Sequence, residues 1–203
     1  MTQAMHFTAT AIICAVRPHG ETGAIVRGFT AEYGLIGGFV QGARGRVLRP
    51  VLIPGNVIKG DWRARIMGQL PSLTAEPIHS RAHLLGEPLA IAAIDWVTAL
   101  SAATLPEGHP YPALHSALDG VLSAVELAPA ARGWAGAVAR YEELLLRELG
   151  YAEERERGQA GVPPVAMMAR NRERLVAHVL GDRRADVMAA RERLMERLKR
   201  AVA

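Results

Sequence analysis

The chain has 203 residues, half of them hydrophobic and 22% charged, which is enough to bury a good core in one or two domains. Its single cysteine excludes an internal disulfide and any zinc site built on several thiolates. The formal charge of +4 is unevenly placed, with eight Lys or Arg against four Asp or Glu in residues 1–79 and sixteen against sixteen in residues 80–203.

All of the positive excess therefore sits in the first part, the pattern of a polyanion-binding module joined to a neutral partner. Leu89 to Ala103 is the longest apolar candidate for a membrane segment, but it is short and Asp95 interrupts it. Met1 to Thr10 lacks the basic start and apolar core of a signal peptide. A cytoplasmic protein without a membrane segment is expected.

In chain order, residues 8–17, TATAIICAVR, form a first strand closed by Pro18, His19 and Gly20. Cys14 lies in its apolar run and is read as a packed thiol. Ala24 to Thr30 forms a second strand in a hairpin with the first, Glu32, Tyr33 and Gly34 turn the chain, and Leu35 to Gln41 is the third strand. Its Gly37 and Gly38 permit the bend with which small barrels turn corners. A basic loop from Gly42 to Pro50 and a turn at Pro54 and Gly55 lead into a fourth strand, Val57 to Met67. There Trp62, Ala64 and Ile66 alternate with Arg63 and Arg65, one face buried and the other cationic. Leu70 to Ile78 is a weaker fifth strand. Five short strands in about 80 residues suggest a Greek-key barrel of the OB type, with an SH3-like barrel as competitor.

After Pro88 the pattern turns alanine-rich and helical. Leu89 to Ala103 is apolar nearly all round, as in a buried helix, and Ala113 to Leu127 repeats apolar positions at helical spacing. Pro129 starts a third helix through Trp134 and Tyr141 to Leu149, ended by Gly150. Tyr151 to Pro164 reads as a solvated linker, Arg170 to Leu180 as a short helix, and Ala185 to Val202 as an amphipathic one. The expected fold class is α+β in two domains, an OB barrel over residues 1–80 and an all-α domain over 81–203.

Few residues suggest catalysis. The stretch GNVIKG, Gly55 to Gly60, lacks the Lys-Ser/Thr ending of a phosphate loop, and no GxSxG, HExxH or GxGxxG occurs. His79 and His83 would share a helix face if their segment were helical, but only Glu76 or Glu87 is near as a third zinc ligand, so no metal is assigned. Arg17, His19 and Glu21 read as a surface turn, because arginine is no base at neutral pH. The stronger signal is Gly37 to Arg65, where Arg44, Arg46, Arg49, Lys59, Arg63 and Arg65 face one acid, Asp61. Such a surface follows phosphates. Of Tyr33, Phe39 and Trp62, the aromatics on hand to stack bases, Trp62 is assigned to the core by its alternation with arginines, so sequence-tolerant binding is expected.

The runs AVRPHGETGAIV, TAEYGLIGGFVQGARGRVLRPVLIPGNVI and WRARI, then YEELLLRELGY and the tail RERLVAHVLGDRRADVMAARERLMERL, resemble the bacterial recombination mediator family RecO. The resemblance implies an OB domain followed by helices and no catalytic turnover. It implies binding of single- and double-stranded DNA, annealing of complementary strands, contact with the C-terminal tail of single-strand-binding protein, and help to RecA loading together with RecR. The positions matching the family's basic surface are Arg17, Arg27, Arg44, Arg46, Arg49, Lys59, Arg63 and Arg65. Arg132, Arg140 and Arg147 are candidates for meeting the tail's carboxylates. A nucleoid-associated location follows from DNA binding. Many relatives carry a zinc-binding cysteine cluster after the segment matching LLLRELGY, whereas this chain has EERERGQAGVPPVAMM there, so neither zinc nor any other cofactor is carried over. The competing reading is a non-catalytic adaptor whose barrel docks an acidic peptide.

Overall fold

The computed structural model describes residues 5–66, 68–128, 130–151, 161–181 and 185–202. They form two compact units. The first takes the chain up to Leu85 together with Leu105–Pro112, and the second takes Gly86–Thr104 together with the chain from Ala113.

In the first unit, β1 (Met5–His19), β2 (Gly23–Thr30), β3 (Gly34–Val40), β4 (Val57–Ala64) and β5 (Ser72–His79) close into a barrel in the order β1-β2-β3-β5-β4. The long β1 serves two neighbours. Its second part pairs with β2, from Ala11 opposite Thr30 to His19 opposite Gly23, and its first part with β4, from Met5 opposite Ala64 to Ile12 opposite Val57. A register shift between Ile13 and Ala15 bends it between these partners. The ring closes where Phe39 of β3 runs parallel to Ser72 of β5, its N–H donating to the Pro71 carbonyl at 2.8 Å. This is the expected five-stranded OB architecture.

The barrel is built around Trp62. Its side chain is fully buried, and Phe7 stacks on it with centroids 5.1 Å apart and planes 8° from parallel. Its own strand, β4, and β3 leave room for the indole by carrying glycine beside it. A Cβ on Gly60 would lie 2.3 Å from the ring, and one on Gly38 would lie 3.0 Å from Nε1 and 2.6 Å from the Leu73 Cβ. Ala11, Ile13, Val26, Ile58 and Leu73 complete the packing.

β4 ends three residues earlier than its alternation suggests. Its last rung is Ala64 opposite Met5, so Arg65 and Ile66 fall in the β4–β5 connection and Ile66 is 43% exposed instead of joining the core. The segment Leu105–Pro112, between the first two helices expected from sequence, belongs to the barrel unit. Leu35 pairs with Glu107, and the Gly108 N–H donates to the Leu35 carbonyl at 3.0 Å.

The second unit holds α1 (Pro88–Thr104), α2 (Pro112–Leu127), α3 (Ala135–Glu148), α4 (Pro164–Arg174) and α5 (Ala185–Val202). α3 begins later than expected, after a 3-10 turn at Ala131–Gly133; Pro129 lies outside the described residues. α4 starts at Pro164 rather than Arg170, with proline in its first turn, where a missing N–H costs nothing. Its end widens into a π turn, Leu175–Leu180. Most of the proposed linker, residues 152–160, lies outside the described residues.

A buried ion pair ties four of these helices. Glu142 of α3 and Arg191 of α5 are at most 1% exposed. Glu142 accepts from the Arg191 Nε at 3.1 Å, the Trp96 Nε1 of α1 at 2.9 Å and the Asn171 Nδ2 of α4 at 3.1 Å. With its lone pairs engaged, the carboxylate is tolerated in a dry interior.

Gly60→Ala should destabilise the protein by about 1–3 kcal/mol, the usual cost of overpacking. Adding Trp62→Leu should relieve that clash, so the double variant should be more stable than the sum of the two single losses predicts. Urea unfolding of the three proteins measures this, and strict additivity would contradict the packing described.

Candidate nucleic-acid interface

The cationic residues come from strands and from one long connection, residues 41–56 between β3 and β4. That connection is not a loose loop. The Arg49 N–H donates to the Gly45 carbonyl at 3.0 Å, and the N–H groups of Val51 and Leu52 donate to the Leu48 carbonyl at 3.0 and 2.9 Å. Ala43 and Leu52 are buried against the barrel core. At its far end Gly55 and Asn56 exchange backbone hydrogen bonds with Ile13 at 2.8 and 2.9 Å. The buried Asn56 side chain donates to the carbonyls of Pro50 and Val51 at 3.1 and 3.0 Å and accepts from the Arg81 N–H at 2.8 Å. Arg81, itself buried, donates from its guanidinium to the Gly55 carbonyl. The Arg44 N–H reaches back to the Thr22 carbonyl in the β1–β2 turn at 3.3 Å.

On this clipped connection Arg44, Arg46 and Arg49 are exposed. Among the described residues no carboxylate lies within ion-pair distance of them. Arg44 and Arg49 line a groove of about 270 Å³ whose walls are Val16, Pro18, Ala24, Ala43 and Leu52. Arg17, between Val16 and Pro18 in the chain, is exposed on β1 opposite Ile25.

The other predicted cations are placed differently. Arg27, half-buried on β2, is ion-paired with Glu107 at 3.2 Å. Arg63 is held by both oxygens of Asp61, at 2.8 and 2.9 Å. Asp61 also meets the His6 Nε2 at 3.2 Å. The Arg63 hydrogen bonds, followed by that of His6, lower the Asp61 pKa to about 2. Lys59 is exposed on β4 opposite Thr10 and Glu76, and Arg65 is exposed beyond the end of β4. Register separates the two groups. Arg63 stands opposite His6 near the start of β1, while Arg17 lies near its end, so these two cations sit toward opposite ends of that strand.

Trp62 lies in the core as expected. Tyr33 is 38% exposed with its ring 4.3 Å from Phe7, and Phe39 is half-buried with His19 edge-on at 5.9 Å. Cys14 is buried, and burial pushes its thiol up to about 12, the inert behaviour of a packed cysteine. His79 ends β5 while His83 sits in a 3-10 turn, so they share no helix face. Among the described residues no three His, Cys, Asp or Glu side chains come together as metal ligands. In the helical unit Arg132 is exposed in the 3-10 turn, and Arg140 and Arg147 are exposed on α3 seven residues apart, which puts them on one face. Arg147 is 3.7 Å from Glu148.

Sequence reasoning missed three features here. The Asp61–Arg63 clamp was readable, since residues two apart on a strand share a face. The Glu107 partner of Arg27 and the Asn56–Arg81 clip leave no local signal, because each joins distant parts of the chain.

Because Asp61 titrates below its ordinary value, the clamp is complete above about pH 4 and disappears only as pH falls through about 2. Asp61→Asn should therefore release Arg63 at neutral pH. Affinity for a single-stranded oligonucleotide should rise, and the salt dependence should steepen by roughly one neutralised phosphate. Fluorescence anisotropy across a salt series reads both, and an unchanged slope would show that Arg63 faces no phosphate.

The family described as Recombination protein O N terminal matches residues 5–81, the barrel strands and the Arg81 that clips the basic connection. The chain is 38% identical over 150 residues to the DNA repair protein RecO of Gluconacetobacter diazotrophicus, covering 72% of this chain and 59% of the relative. It is 38% identical over 147 residues to that of Paracoccus denitrificans, covering 72% and 60%, and 38% identical over 148 residues to that of Rhodospirillum centenum, covering 72% and 58%. The chain thus spans about three-fifths of the length of the curated relatives it matches. Residues 5–81, the OB barrel from its first described strand to its last, thus carry the RecO N-terminal domain, and the similarity to RecO proteins runs far beyond it.

Proposed function

We propose that the chain is a DNA-binding recombination mediator of DNA repair, acting by binding and without catalytic turnover. The observation that carries this reading is the set of Arg44, Arg46 and Arg49, exposed on a hydrogen-bonded connection of an OB barrel and without described carboxylate partners. Guanidinium groups carried on a fixed backbone bind phosphate in a forked geometry at a reduced entropic cost. Such a surface binds single- and double-stranded DNA and speeds annealing by neutralising the repulsion between two phosphate backbones. The name DNA repair protein RecO carried by the relatives supports the same reading. Family resemblance extends it to cooperation with RecR, to RecA loading on strands coated with single-strand-binding protein, and to nucleoid association.

Replacing Arg44, Arg46 and Arg49 together by serine should lower the slope of log affinity against log salt by about 0.7 for each single-strand phosphate that the variant no longer neutralises, roughly two in all. It should also slow annealing of complementary oligonucleotides. If the unaltered protein fails to accelerate annealing while binding an acidic peptide through these arginines, the molecule is an adaptor instead.

The exposed face of α3 is proposed to receive the acidic tail of single-strand-binding protein, with Arg132, Arg140 and Arg147 toward its carboxylates. Arg140 has no described carboxylate partner. Arg140→Glu should weaken tail-peptide binding by about tenfold, the scale of one charge-assisted hydrogen bond reversed. Titration calorimetry showing equal affinity would remove α3 from the reading.

A further inference from the structure

The groove beside the basic connection has walls that phosphate tracking does not need. Val16 and Ala24 come from the strand ends where the β1–β2 hairpin leaves the barrel, Ala43 and Leu52 come from the connection, and Pro18 is exposed at the rim. Ala24, Ala43 and Leu52 also belong to the barrel core, so this wall is anchored. The same groove is lined by Arg44 and Arg49. A surface that only follows a backbone is served by cations on a flat face. An apolar depression with two guanidinium groups asks instead for an occupant that is apolar at one end and anionic at the other.

We propose that this groove receives one unstacked nucleobase of a single DNA strand, with Arg44 and Arg49 on the adjoining phosphates. The inference rests on the DNA-binding reading above and names a subsite within it. Three observations support it. The volume of about 270 Å³ lies just under the roughly 300–1,000 Å³ of small-molecule sites and suits a single planar group. Its place at a barrel mouth is one where such sites recur. The connection that carries the arginines is clipped by Asn56 and Arg81, so it stands ready in the unbound protein. An apolar wall accepts the face of any base and reads no hydrogen-bonding edge, so the subsite adds affinity without sequence preference. Its consequence is a preference for single strands, because a base in a duplex remains stacked and paired.

The test compares an oligonucleotide with a strand of equal length made wholly of abasic residues, which keeps every phosphate and removes every base. The unaltered protein should bind the base-bearing strand about tenfold more tightly, the scale of one sequestered base. Val16→Leu fills the groove from a half-buried position, and Pro18→Leu fills it from an exposed one where folding is not at stake, neither adding an aromatic ring on which a base could stack; circular dichroism checks both. In each folded variant the ratio of the two affinities should fall to within about twofold. Equal affinity of the unaltered protein for both strands overturns the proposal, as does a base preference that survives in folded Pro18→Leu. If the groove-dependent ligand proves to be a short acidic peptide, with no base preference, the proposal also falls. Binding to neither strand would overturn the DNA-binding reading itself, whereas equal binding to both would leave that reading standing.

Discussion

The barrel depends on how the Trp62 indole is housed. A five-stranded barrel has a narrow interior, and one large aromatic fills much of it only if the backbone around it gives way. Here Gly60 and Gly38 present bare backbone to the ring and Phe7 stacks on it. These contacts span β1, β3 and β4, so the indole holds together strands that are distant in sequence. The same alternation that turns Trp62 inward turns Lys59, Asp61 and Arg63 outward. Core packing and surface charge on β4 are thus two results of one pleat.

Formal charge overstates what the surface offers a polyanion. Arg27 and Arg63 are matched by Glu107 and Asp61 within the chain, leaving a field much weaker than that of a bare guanidinium. The connection between β3 and β4 is different because it carries arginines and no acid. Its backbone groups are satisfied by its own turns, by Ile13 and by the Asn56 and Arg81 side chains. The positive charge in the proposed interface is concentrated on a connection whose geometry is fixed from both ends.

The helical unit handles charge in the opposite way. Glu142 and Arg191 are taken fully out of water and satisfied by Trp96, Asn171 and each other. A buried pair of this kind adds little net stability compared with an apolar replacement, but it penalises any packing that separates its members. It joins α1, α3, α4 and α5 and so favours one arrangement of alanine-rich helices whose small side chains would otherwise pack in several ways. Sequence periodicity placed Glu142 on a helix, but it carried no sign that the carboxylate would be buried.

How much was legible follows from the range over which each interaction acts. Alternation, turn residues and the clustering of basic residues are local, and they were enough to determine a five-stranded barrel, a buried Trp62, a helical second part and an excess of positive charge in the first. Family resemblance added the expected chemistry. Strand ends were less legible, because alternation does not show where a ladder stops. Arg65 and Ile66 lie beyond the last described β4 rung, although the alternation continues through them. Which cations stay available was decided only by tertiary structure. Ion pairing depends on separations of a few ångströms, and the chain brings Glu107 to Arg27 across 80 residues of sequence. The groove beneath Arg44 and Arg49 arises in the same way, from the meeting of a hairpin and a connection whose residues are neighbours in space and not in sequence.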